Sequence, residues 1–197
     1  MSFHEYTKKT EENYKTPNFR IDFMERTESG KVLMLMEDYH WEEYTEGNPA
    51  SQVVTRQYAV IRGYILAVQF AESGAINWIT LVPKSQIERT PYLSLTFLSY
   101  SAVRKGADLL IAYLDEKENL GTFPNIEKPW GIRKPNFVGV TIDDLGGMDY
   151  KVINEGYEIK DYTLRPSFYY NYNGEYLLYF PHTRAPDHFL ILPVGER

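Results

Sequence analysis

The sequence contains no cysteine, which excludes disulfide bonds, thiolate nucleophiles and cysteine-ligated zinc. It also lacks a glycine-rich phosphate-binding loop, because Gly146-Gly147 is followed by neither the lysine nor the helix that such a loop requires. No serine triad is specified, since triads are recognised by their geometry and not by sequence order. The strong sequence motifs of enzymes are therefore missing.

Long apolar runs are missing too. No segment reaches the roughly 18 uninterrupted apolar residues that a membrane-spanning helix needs. The first 20 residues have no apolar core of signal-peptide length. We therefore expect a cytoplasmic protein that does not contact a membrane.

Aromatic residues are abundant, with 17 tyrosines among 197 residues. A hydrophobic fraction of 43% is enough to form a sizeable core, and the length suits one domain. Residues 1–17 are polar, lack periodicity and end in Pro17. We predict a flexible N-terminal arm over residues 1–17 and a single domain over residues 18–197.

One long helix is predicted over residues 91–119. Thr90-Pro91 is typical of a helix start, and Gly121 follows the predicted end. Apolar residues recur at spacings of four, three and four, which places them on one helical face: Val103, Ala107, Leu110 and Leu114. We expect a kink or an interruption near Ser99 or Gly106.

The remaining segments predict antiparallel strands. Residues 18–26 and 31–36 indicate one hairpin, and residues 64–70 and 76–82 indicate a second. Residues 51–72 fit both helical and extended spacing, and their β-branched content favours two extended pieces. From Asn136 onward, short aromatic segments predict a meander in which Asn173-Gly174 is the clearest turn. The fold class predicted is α+β, with hairpins and a C-terminal meander packed around the helix.

A magnesium site is one possible centre of catalysis. Asp144 at a strand end and the pattern Glu158-Ile159-Lys160 supply two carboxylates for the ion and a lysine beside the attacking water. Restriction-type nucleases use this chemistry, but so short a pattern is common by chance. The structural alternative is that Asp143-Asp144 opens a turn and that Glu158 pairs with a lysine on an exposed strand.

Acidic and aromatic side chains alternate near the N-terminus. The net charge is −6, and residues 1–50 hold 11 acidic against 6 basic side chains. This acidic-aromatic segment comprises Glu37, Asp38, Tyr39, Trp41, Glu42, Glu43, Tyr44 and Glu46. It predicts either a solvated edge or a docking surface for a protein with a basic surface, and it disfavours direct binding of duplex nucleic acid.

The tyrosine-rich hairpin around Asn173-Gly174 is a second candidate surface. Tyr170, Tyr172 and Tyr176 would offer rings for stacking on a ligand or a peptide. Cross-strand aromatic pairs also stabilise sheets without any ligand.

These observations favour a non-enzymatic interaction module, such as an inhibitor, adaptor or assembly component, that acts through the two surfaces and needs no cofactor. One alternative is a Mg²⁺-dependent nuclease or phosphodiesterase that uses Asp144, Glu158 and Lys160. The other is a small-ligand-binding domain with a pocket between helix and sheet.

Overall fold

The structure, a computed structural model, describes residues 18–48, 53–91, 100–116, 135–154, 169–172, 175–180 and 188–192. These residues form twelve strands, and none of them lies in a helix. The predicted α+β class is therefore wrong for the described chain, which is all-β.

The chain divides into two compact units, Met1–Thr96 with Gly121–Ile132, and Phe97–Leu120 with Arg133–Arg197. The single domain over residues 18–197 stays a prediction, and the arm over residues 1–17 lies outside the described residues.

The first unit contains one antiparallel five-stranded sheet. Its strands are β1 (Phe19–Arg26), β2 (Val32–Asn48), β3 (Val53–Phe70), β4 (Ile76–Val82) and β5 (Gln86–Thr90). The order is β1-β2-β3-β4, and β5 pairs with the first half of β3 while β4 pairs with its second half. Both predicted hairpins are confirmed by the β1–β2 and β3–β4 pairings. The segment that fitted both helix and strand is extended as one strand from Val53.

The core face of this sheet follows the alternation of side chains along each strand. Leu33 of β2 pairs with Gln69 of β3, and Leu35 pairs with Ala67. These four residues are at most 4% exposed. Glu37 is the next residue on the same face of β2, opposite Ile65. An acidic side chain therefore occupies a core position.

Three of the connections between described strands are hairpin loops of the same conformation. They span residues 27–31, 71–75 and 143–147, and the fourth position of each is a glycine, with φ of +79°, +83° and +83° respectively. In each loop the N–H of that glycine donates to the carbonyl of the first position, and the first and fifth positions are also hydrogen-bonded. This is a type I turn followed by a left-handed residue, the conformation that glycine adopts at least cost.

The second unit contains a four-stranded antiparallel sheet of β6 (Tyr100–Lys105), β7 (Asp108–Glu116), β8 (Pro135–Ile142) and β9 (Met148–Asn154), in that order. A three-stranded antiparallel sheet follows, formed by β10 (Tyr169–Tyr172), β11 (Glu175–Phe180) and β12 (His188–Leu192). Tyr172 pairs with Glu175, which confirms the tyrosine-rich hairpin.

The helix predicted over residues 91–119 is replaced by the β6–β7 hairpin over the described part, residues 100–116. Gly106 has φ of +57°, a left-handed conformation that interrupts a right-handed helix. The helical spacing was misleading because Val103 lies directly opposite Leu110, and Leu114 follows on the same side of the hairpin. Residues seven and eleven apart thus share one face in both structures.

Replacing Gly106 by alanine distinguishes the hairpin from the predicted helix. In the hairpin, alanine must adopt the left-handed conformation, so Gly106→Ala should lower the free energy of unfolding by about 1–2 kcal/mol. In a helix the same change would stabilise by about 1 kcal/mol. An added Cβ meets no atom within 4 Å, so steric clash does not confuse the result. Urea denaturation of the wild type, Gly106→Ala and the better tolerated control Gly106→Asn measures the sign.

Candidate functional site

The acidic-aromatic segment does not form one surface. It is the middle and end of β2, which pairs with β3 along its whole length. Glu37 and Asp38 are 1% and 4% exposed, so their side chains are buried, and the docking surface stays a prediction that the exposed residues of the segment would have to support. Trp41, Glu42 and Glu43 are exposed, and the rings of Tyr39 and Tyr44 are half-buried.

Irregular strand pairing creates the interior part of the site. Gly63 and Tyr64 of β3 together lie opposite Asp38 of β2, since Ile65 pairs with Glu37 and Arg62 with Tyr39. Such a bulge changes which residues of β3 share a face with β2. Because of the bulge, Arg62, which pairs with Tyr39, lies on the same face of the sheet as Glu37.

The neighbouring strand is interrupted at the same level of the sheet. Proline cannot donate to the strand ladder, and Pro83 follows the end of β4 at Val82. Three residues, Pro83-Lys84-Ser85, separate β4 from β5 opposite the bulge. This break allows the side chain of Lys84 to enter the interior, where it is 0% exposed.

Glu37 forms ion pairs with both cations. Its Oε1 lies 2.7 Å from Lys84 Nζ, and its Oε2 accepts a hydrogen bond from Arg62 Nη1. The ammonium group of Lys84 also donates to Gln86 Oε1 at 3.0 Å and to the carbonyl of Arg62 at 3.3 Å. Three acceptors therefore surround the three N–H donors of a fully buried lysine. We call Glu37, Arg62, Lys84 and Gln86 the buried ion cluster.

Further charged groups adjoin the buried ion cluster. The guanidinium carbons of Arg20 and Arg62 lie 5.0 and 5.1 Å from the ring centroid of Tyr39, within cation–π range. Asp38 Oδ1 lies 2.7 Å from His40 Nε2 and accepts a hydrogen bond from the Asn18 N–H at 3.1 Å. These contacts join the start of β1 to the middle of β2.

Asp22 is the extra residue where the pairing of β1 with β2 shifts register. The residue is exposed overall, yet partial burial of its carboxyl group raises its pKa, and the negative charge of Glu37 raises it further. The positive charges of Arg20, Arg62 and Lys84 oppose this rise only in part. The carboxylate of Asp22 is thus less favourable in the folded protein than in water.

The exposed part of the segment lies on a β2–β3 arm, which we define as residues 41–48 and 53–59. In the described chain, β1 pairs with β2 only as far as Asp38, and β5 reaches β3 only from Tyr58 onward. The outer part of the arm is therefore a two-stranded ribbon in the described structure. Eight strand residues at about 3.3 Å each give it a length of roughly 25 Å.

The two faces of the arm differ in chemistry. Its aromatic face contains Trp41, which is 49% exposed and packs edge-on against Tyr58 with ring centroids 6.0 Å apart. On the same face Glu43 pairs with Arg56 at 3.1 Å. Its acidic face carries Glu42, Tyr44 and Glu46 opposite Ala59, Gln57 and Thr55, with no lysine or arginine among these described residues.

Asp144, the first residue of the predicted magnesium site, lies at the second position of the 143–147 loop. The equivalent positions of the other two loops hold Glu28 and Glu72, so an acidic residue here is a recurrent feature of this loop. Asp143 Oδ1 accepts hydrogen bonds from the N–H groups of Leu145 and Gly147, at 2.9 and 2.7 Å. Its carboxylate therefore stabilises the turn.

The remaining predicted residues are only partly described. Glu158 and Lys160 lie outside the described residues, so their convergence with Asp144 stays a prediction. Tyr170 pairs with Leu177, and Tyr176 pairs with Asn171, so the two tyrosines are not paired with each other. The side chains of Tyr170, Tyr172 and Tyr176 lie outside the described part of the structure, so their use as a binding surface stays a prediction. No group of three or more His, Asp or Glu among the described residues is placed to hold a metal ion.

A buried acid also lies in the second unit. Asp115 of β7 is 3% exposed, and its Oδ2 accepts a hydrogen bond from Tyr150 Oη at 3.4 Å. Burial raises the pKa of the Tyr150 phenol well above its ordinary value, and the charge of Asp115 raises it further. This pair links β7 to β9 across the sheet.

No sequence motif marks Arg62 and Lys84 as members of a site. The available signal was Pro83 beside a lysine at the end of an apolar strand, together with Gly63 inside another strand, because both residue types mark breaks in strand pairing. Their meeting with Glu37 depends on register, which the sequence does not show.

Comparisons with known proteins identify no relative, because no family model, no curated protein and no solved structure matches the chain. In the part of the chain that the structure describes, no helix is long and apolar enough to cross a membrane.

Loss of one member of the buried ion cluster should be costly. Lys84→Met leaves the Glu37 carboxylate buried with one cation fewer, and should lower the free energy of unfolding by about 3–5 kcal/mol. The triple variant Glu37→Met, Arg62→Met, Lys84→Met removes all three charges and should recover most of that loss. Chemical denaturation measures both. Arg26→Met, at a 69% exposed side chain of the same sheet, is the matched control and should cost less than about 1 kcal/mol.

Asp22→Asn should stabilise the protein increasingly as the pH rises. A carboxyl group with a raised folded-state pKa binds protons more readily when folded, so it lowers stability as the pH increases from the ordinary value of 3.8 through the raised value. Asparagine removes this effect. Urea unfolding of the wild type and the variant between acid and neutral pH tests the sign, and a stability difference that shrinks with rising pH would contradict the assignment.

Proposed function

We propose that the protein is a non-enzymatic interaction module that docks a basic partner protein on the β2–β3 arm. The observation that supports it best is Trp41, a large aromatic side chain left 49% exposed on a narrow ribbon that carries Glu43 on the same face and Glu42 and Glu46 on the other. Tryptophan is enriched among the residues that dominate binding energies, and acidic side chains steer a basic partner toward the surface. We also propose that the protein acts in the cytoplasm, as the sequence leads us to expect.

The architecture supports this use of the arm. A two-stranded ribbon is only marginally stable in water by itself, so it needs a firm base. The Trp41–Tyr58 contact lies next to β5, and the buried ion cluster lies just below it in the sheet. The arm thus extends from a part of the unit that contains buried ion pairs and hydrogen bonds.

The other interpretations gain less support. A pocket between helix and sheet loses its helix in the described chain. The predicted magnesium site retains one described residue, Asp144, in a loop whose acidic second position recurs elsewhere. The tyrosine-rich hairpin remains a second proposed contact surface, supported by its confirmed strand pairing.

The test measures partner binding by variants of the arm. Trp41→Ser should weaken binding of a captured basic partner by about thirtyfold, the effect of losing about 2 kcal/mol at an interface anchor. The double variant Glu42→Lys, Glu46→Lys should mainly slow association and reduce its salt dependence. Quantitative affinity capture identifies the partner, and surface plasmon resonance with the purified pair measures the rates.

Two matched controls come from the same sheet. Ile79→Ser removes an apolar side chain of similar exposure, 46%, from β4, and Glu28→Lys reverses an exposed charge in the 27–31 turn. Neither should change binding. If the arm variants bind every captured partner as the wild type does, docking on the arm is wrong.

A further inference from the structure

The outer edge of β2 carries a regular row of outward-pointing backbone groups. The Tyr39 N–H donates to the Asn18 carbonyl at 2.9 Å, and the Tyr39 carbonyl accepts from Asn18 Nδ2 at 3.0 Å. Both groups of Tyr39 therefore point away from β3. In contrast, the Glu46 carbonyl accepts a hydrogen bond from Thr55 Oγ1 on β3.

The direction of the other backbone groups follows from this. Pairing with β3 is unbroken from Tyr39 to Asn48, so groups alternate with a period of two. The residues in step with Tyr39 point outward, and they are Trp41, Glu43, Thr45 and Gly47. Four N–H donors and four carbonyl acceptors thus line this edge of the arm.

Among the described residues, which begin at Asn18, the ladder between β1 and β2 ends where this row begins. The side chain of Asn18 takes the Tyr39 carbonyl, and the Asn18 N–H donates to Asp38 Oδ1 instead of to the ladder. Within the described ranges, no strand pairs with residues 41–47 on this side. An open edge of this kind is a template for an added strand.

We propose that this edge binds an extended, basic segment of a partner protein by strand addition. The inference rests on the proposed function and gives it a mode of recognition. An added strand places its side chains about 4.5–5.5 Å from those of β2, so it would lie beside Glu42, Glu43 and Glu46. Residues 41–48 contain no lysine or arginine, and lysines or arginines on the added strand are therefore favoured.

The same charges disfavour a second copy of this chain as the occupant. Two such edges paired with each other would place glutamates of both copies side by side, and like charges opposite one another destabilise a sheet. Charged side chains on an open edge are a known means of preventing such self-association. The negative charge of this edge thus repels a second copy and attracts a basic strand.

The direct test uses a synthetic eight-residue peptide, acetylated and amidated, that alternates lysine with valine or threonine. Hydrogen exchange measured by NMR should show slower exchange of the Trp41, Glu43, Thr45 and Gly47 amides when the peptide is added. The amides of Glu42, Tyr44 and Glu46 already pair with β3 and should change little. A peptide with glutamate in place of each lysine is the charge control and should not bind.

One substitution separates backbone pairing from side-chain contacts. Thr45→Pro removes an outward N–H and leaves the β2–β3 ladder complete, because proline is tolerated where the N–H faces away from the neighbouring strand. It should weaken peptide binding by about tenfold or more, whereas the matched control Thr45→Val should bind like the wild type. If Thr45→Pro does not fold, peptides N-methylated at alternate residues provide the same test on the intact protein, and one of the two registers should not bind.

Several outcomes would overturn strand addition. The edge amides would already exchange slowly without peptide if another segment covered them, and their protection would rise with protein concentration if a second copy did. Equal binding of the glutamate peptide, or of Thr45→Pro, would also overturn it. If Trp41→Ser still loses the captured partner in that case, docking on the arm stands and only the mode of recognition is wrong.

Discussion

The contact of Glu37 with Lys84 and Arg62 is the interaction on which the N-terminal sheet depends. A carboxylate on the core face of β2 is tolerated because two cations neutralise it and because Lys84 finds three acceptors. The desolvation of such groups is costly, so the cluster requires accurate strand register more than it adds net stability. Any slip of β3 past β2, or of the Pro83-Lys84-Ser85 connection past β3, would leave buried charges without their partners. The cluster therefore specifies one register over alternatives that the apolar residues alone would permit.

That constraint explains three irregularities at one level of the sheet. The bulge at Gly63-Tyr64, the break at Pro83-Lys84-Ser85 and the register shift at Asp22 all bring polar groups toward Glu37. Each departs from regular pairing and loses ladder hydrogen bonds, and each supplies or neighbours a charge. Beyond this level the described part of the sheet keeps β5 as far as Tyr58 and then narrows to the two strands of the β2–β3 arm. The buried ion cluster thus marks the boundary between a packed sheet and an exposed ribbon.

The division of the acidic-aromatic segment follows from the same geometry. Glu37 and Asp38 are buried where β2 lies between β1 and β3, whereas Glu42, Glu43 and Glu46 lie beyond the end of β1. One run of similar residues therefore has two roles. The interior acids hold the strands in register, and the exposed acids give the arm its charge. The proposed strand addition uses only the second group, together with the backbone edge of residues 41–47, with which no described strand pairs on that side.

The sequence alone determined the local features, because these depend on neighbouring residues. The patterns of residues 18–36 and 64–82 predicted two hairpins, and Asn173-Gly174 predicted the tyrosine-rich hairpin. The helix over residues 91–119 was wrong because Val103, Leu110 and Leu114 share a face in a helix and in a hairpin closed at Gly106 alike. Only the tertiary structure decided that Glu37 is buried and that Arg62 and Lys84 are its partners. Those contacts join residues at least 25 positions apart, and a single bulged residue changes which side chains meet, so no local pattern specifies them.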